Sequence, residues 1–174
     1  MTSTILVILA VLCILLSLGL LAMDRRLPVL PVMPAYVAMW LCSVAGVVYL
    51  PMRFLLTWGG ITLLVVALDW FQPGMPRLRL SQKLYLLLGA VAGSLLGFAL
   101  SPRYIVVACA LGSALGMLAY ARTPNGKEML SVTSSSLMRF YAMYALPIVA
   151  LVSMLMLLAD AAVVKHMAES YLNF

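Results

Sequence analysis

Six apolar stretches, at about 4–23, 32–50, 54–71, 84–101, 104–121 and 140–163, occupy most of this 174-residue chain. As helices, segments of this length rise about 27–36 Å. The hydrocarbon core of a bilayer is about 30 Å thick. In that medium every backbone polar group needs an internal partner, so a spanning segment of this kind is a helix. Composition agrees. The chain is 66% hydrophobic and 9% charged, against about 45–50% and about 25% in soluble domains. The expected fold class is all-α, a polytopic membrane helix bundle of about six transmembrane helices forming a single domain, 1–174.

Two of the stretches are rich in small residues and lie back to back. Gly89, Gly93 and Gly97 recur every fourth residue in one, and Gly112 and Gly116 in the other. Ser101-Pro102-Arg103 joins them. Apolar contact between helices gains little over contact with acyl chains, so association in lipid relies on close backbone approach. A Gly stripe permits that approach. The spacing predicts an antiparallel hairpin with Gly93 and Gly112 at or near the contact.

The net charge is +6, but the basic residues are dispersed through short loops. That excludes the clustered face or run expected of a nucleic-acid binder. Arg25, Arg26, Arg77, Arg79, Lys83, Arg122, Lys127 and Arg139 fall in alternate loops, and Arg53, Arg103 and Lys165 in the others. By the positive-inside rule the first set is cytoplasmic and both termini face outward, a multi-pass arrangement in a bacterial inner membrane. Tyr49, Trp70, Tyr85, Tyr104 and Tyr120 stand at the stretch ends, where aromatic belts form. Residues 1–4 carry no basic side chain and Asp24-Arg25-Arg26 follows the first stretch. It therefore reads as a retained span and not a cleaved signal.

Proline marks the irregular points. Pro28, Pro31 and Pro34 crowd the start of the second stretch, where they are expected to exclude regular helix. Residues 24–50 therefore read either as a full span or as a re-entrant hairpin. Pro147 is expected to kink the last stretch. Thr123-Pro124-Asn125-Gly126 is a turn signal, and the polar run Ser131–Ser136 follows it.

Reactive chemistry is sparse. Cys13, Cys42 and Cys109 sit in separate apolar stretches without metal or redox spacing. The one histidine, His166, is near the C-terminus, and no hydrolase, metalloprotease or nucleotide-binding motif occurs. No catalytic residue, cofactor or metal site is expected. Asp160 lies close to Lys165 and His166 and reads as part of a surface pairing. Asp69 closes the third stretch. An ionisable residue in a span is a functional candidate because burying it is costly, but this one lies within a turn of the interface and reads first as an anchor paired with Arg77 or Arg79, or reached by water.

Leu27-Pro28-Val29-Leu30-Pro31, Asp69 and the Gly89–Gly116 hairpin with its Pro102 turn resemble domain-of-unknown-function family four-five-six, small glycine-zipper bacterial membrane proteins. The resemblance covers roughly residues 5–121. Val32 replaces the glycine of the family's proline element, and Met117-Leu118 stand where an acidic residue belongs. It implies an all-helical inner-membrane protein and supplies no activity. The expected function is a non-enzymatic partner or scaffold subunit of a membrane assembly, in contact with lipids and with other subunits or copies of itself. The alternative is a small transporter or channel for a lipid or other apolar solute.

Overall fold

A computed structural model describes residues 2–23, 30–70, 80–127 and 137–172. The fold is all-α. Its helices are α1 (Thr2–Met23), α2 (Val32–Val44), α3 (Met52–Trp70), α4 (Leu80–Leu100), α5 (Ile105–Ala121) and α6 (Leu137–Leu172). A single 3₁₀ turn, Pro102–Tyr104, links α4 to α5, and a further helical turn starts at Pro124.

Four helical segments are long and apolar enough to cross a membrane: Ser3–Ala22, Ser81–Leu100, Pro102–Ala121 and Ala145–Ala168. The second expected crossing is shorter than its apolar stretch. Helix α2 has 13 residues, about 20 Å of rise, and cannot cross a 30 Å core by itself. It ends because Gly46 takes a positive φ of 69°, which only glycine adopts without steric cost. The Val47 and Val48 amides then bond back to the Cys42 carbonyl.

The other end of α2 corrects the reading of the prolines. Pro31 is the N-cap residue and Pro34 lies in the first helical turn. The first-turn amides have no intrahelical acceptor, so a missing N–H there costs nothing. The prolines therefore fix where the helix starts and do not prevent it. Pro28 lies outside the described residues.

Helix α6 is the axis of the bundle and touches α2, α3, α4 and α5. Two apolar stripes at helical spacing explain how one helix serves two sides. Leu151, Met154 and Leu158 enter a core with Ala10, Leu21, Met39, Leu55, Trp58 and Val65 of α1, α2 and α3. Ala145, Ile148, Val149 and Val152 enter a second core with Leu86, Ala90, Cys109 and Met117 of α4 and α5. At 36 residues, α6 rises about 54 Å and outruns the membrane core. Pro147 lies inside it and removes one ladder bond.

Side-chain contacts place the helix ends. Lys83 Nζ donates to the Leu21 carbonyl, and the Tyr85 and Tyr120 rings meet at 5.7 Å and 60°. The end of α1, the start of α4 and the end of α5 therefore share one end of the bundle. Lys165 Nζ donates to the Gly46 carbonyl, which brings the ends of α2 and α6 together at the opposite end.

Candidate functional site

The α4–α5 hairpin is built on its glycines. A Cβ on Gly89 would overlap the Gly112 carbonyl, and one on Gly116 would overlap the carbonyl of Tyr85. A Cβ on Gly97 would lie 2.9 Å from Ile105 Cα and from the Tyr104 carbonyl oxygen. All five zipper glycines thus serve backbone-to-backbone contact. Ser94 and Ser113 are fully buried beside them and donate to the Val91 and Ala110 carbonyls at 2.8 Å. Such back-bonding satisfies a hydroxyl within its own helix.

The proline element forms a polar joint inside the bundle. Ser17 is fully buried in α1 and donates to the Pro31 carbonyl at 2.6 Å. One turn further along the same helix, the Leu21 carbonyl accepts from the buried Lys83 ammonium. A cation at the C-terminal turn of α1 complements both its unpaired carbonyls and its dipole. Lys83 was expected in a loop; it stands in the first turn of α4.

A third polar joint links α2 to α3. Trp40 Nε1 donates to the Tyr36 hydroxyl at 2.7 Å, and that hydroxyl donates to the Leu55 carbonyl at 3.1 Å. Gly59 makes room for it, since a Cβ there would lie 2.5 Å from the Tyr36 hydroxyl oxygen. Trp58 is buried beneath, edge-on to Phe54 at 6.2 Å.

The sequence did not single out Ser17, Lys83 or the Tyr36–Trp40–Gly59 group. The only available signals were a lone buried-helix serine, a lysine three residues inside a helix start, and Tyr and Trp one turn apart opposite Gly59-Gly60. The backbone of Asp69 is in the last turn of α3, but its side chain lies outside the described residues, as do Arg25, Arg26, Arg77, Arg79 and the Ser131–Ser136 run. Among the described residues no three His, Cys, Asp or Glu side chains come together as a metal site would require. Among the described residues the buried Tyr120 hydroxyl has no hydrogen-bond partner. Cys109 Sγ approaches the Val149 carbonyl at 3.9 Å and lies beside the Ser153 hydroxyl.

No family model, curated protein or solved structure matches the chain.

Proposed function

We propose that this chain is a non-enzymatic membrane protein that serves as a partner or scaffold subunit of a membrane assembly, with other membrane protein subunits or as a homo-oligomer. The observation that carries this reading is how the buried polar side chains are used. Those of Ser17, Thr62, Lys83, Ser94 and Ser113 bond to helix carbonyls. Ser17 and Lys83 tie α1 to its neighbours, Thr62, Ser94 and Ser113 are satisfied within their own helices, and the five converge on no common point where a substrate could sit. Meanwhile Ile5, Ile8, Leu12, Leu15 and Leu16 leave most of α1 exposed and apolar. The proposed arrangement is six crossings in a bacterial inner membrane with both termini outside, α2 being completed by the irregular residues 45–51. Buried Val48 and the Lys165–Gly46 bond support that completion, because non-helical backbone at depth needs protein around it. Membership of family four-five-six is proposed on the same residues that suggested it.

Photo-crosslinking tests the reading. A crosslinker at Leu12 in intact membranes should give one discrete protein adduct of constant mass. Adducts with lipid alone would contradict it.

The second reading, a small transporter or channel for a lipid or apolar solute, draws on one observation. Helix α2 is a short helix whose N-terminal residues Pro31 and Val32 are buried inside the bundle, as in the broken helices of transporters.

A further inference from the structure

We infer that the turn at residues 122–127 seats the phosphate of an anionic phospholipid in the leaflet at that end of the bundle. This rests on the membrane reading above but not on the scaffold role.

The turn is ordered and tied to α5. Thr123 Oγ1 donates to the Tyr120 carbonyl at 2.6 Å and accepts the Gly126 amide at 3.2 Å. The Lys127 amide bonds to the Thr123 carbonyl at 3.0 Å. A Cβ on Gly126 would lie 2.8 Å from Ala121 Cα, so the turn folds directly onto the helix end. This short frame carries two cations, Arg122 and Lys127, both exposed. Neither makes an ion pair with a described residue.

Depth decides the ligand's source. Exposed Tyr85 packs on buried Tyr120 just before the turn, and exposed tyrosines settle at headgroup level. The cations that follow stand where lipid phosphates are concentrated. Charge decides its sign. By the loop assignment, this end carries eight Lys and Arg against three Asp and Glu, and the other end three against two. No pairing among its own residues can neutralise the first end, and basic clusters of this kind attract anionic headgroups. At the opposite end, Lys165 is already engaged by the Gly46 carbonyl.

The test uses the full chain in nanodiscs of phosphatidylcholine with a minor fraction of phosphatidylglycerol. Native mass spectrometry reads the ratio of the two lipids retained on the protein. The account expects phosphatidylglycerol to be retained in preference. Each basic residue near the surface contributes about fivefold, so Arg122→Gln with Lys127→Gln should lower the preference about twenty-five-fold. The charge-conserving pair Arg122→Lys with Lys127→Arg should retain it, as should Arg53→Gln with Arg103→Gln at the other end. Millimolar inorganic phosphate should not displace the lipid. Equal retention of both lipids, an equal loss in the opposite-end pair, or displacement by free phosphate would each overturn the assignment. A chain that inserts into the discs without lipid preference refutes the lipid seat alone. A chain that does not insert refutes the membrane reading as well.

Discussion

Gly93 and Gly112 face each other so closely that a Cβ on Gly112 would lie 2.8 Å from Gly93 Cα, and one on Gly93 would lie 3.0 Å from Gly112 Cα. Neither contact can be relieved by turning a side chain, because the atoms in the way are backbone. Even Gly93→Ala must therefore push α4 and α5 apart. Overpacking typically costs about 1–3 kcal/mol, and Gly93→Leu should cost more than Gly93→Ala. Gly60 supplies the control, since nothing lies within 4 Å of a Cβ there. Gly60→Ala should be neutral or stabilising by up to about 1 kcal/mol, the usual gain of alanine in a helix. Thermal unfolding in mild detergent separates the two. Equal melting temperatures for Gly93→Ala and Gly60→Ala would remove the zipper from the account.

Ser17→Ala removes the side-chain donor that ties α1 to the buried Pro31 carbonyl at the start of α2, which keeps its place as the first acceptor of that helix. Loss of one such bond costs about 0.5–1.5 kcal/mol. Ser3→Ala, on an exposed position of the same helix, should change the melting temperature little.

The Tyr36–Gly59 contact predicts coupling between substitutions. Gly59→Ala alone sets a methyl 2.5 Å from the Tyr36 hydroxyl oxygen. Tyr36→Phe alone leaves the Trp40 indole without the acceptor it now has. In the double variant the hydroxyl that opposes the new methyl is gone, so the two costs should sum to more than the double variant shows. Interaction energies of about 0.5–3 kcal/mol are usual for residues in direct contact. Strict additivity in a double-mutant cycle would mean the hydroxyl does not occupy the space beside Gly59.

Asp69→Asn separates the two functional readings. As an interfacial anchor, Asp69 contributes no more than an exposed ion pair, about 0–1 kcal/mol. The folded variant should then complement a gene deletion fully. As a transport group it needs its changeable charge, and a folded Asp69→Asn protein would reproduce the deletion phenotype. The scaffold reading predicts full complementation.

The zipper hairpin was legible in the sequence because glycine at every fourth position of an apolar helix has a narrow range of structural uses. The end of α2 was not. Residues 41–50 are apolar almost throughout, and in such a run hydropathy does not distinguish a helix from a covered turn. Only the positive φ at Gly46 marks the break. Lys83 was misplaced for a related reason. Charge is the signal for a loop, yet a lysine stem packs along apolar surface while its ammonium reaches a carbonyl. The polar joints at Ser17 and Tyr36 depend on contacts between residues 14 and 19 positions apart, which local pattern does not encode.

The central claim is a membrane bundle whose basic end is cytoplasmic, and side-specific labelling tests it most directly. In a chain with Cys13, Cys42 and Cys109 replaced by alanine, Arg103→Cys and Lys127→Cys are each treated in intact cells with a membrane-impermeant thiol reagent. The account predicts labelling of Arg103→Cys from outside, and of Lys127→Cys only after permeabilisation. Labelling of Lys127→Cys in intact cells, with Arg103→Cys protected, would contradict it.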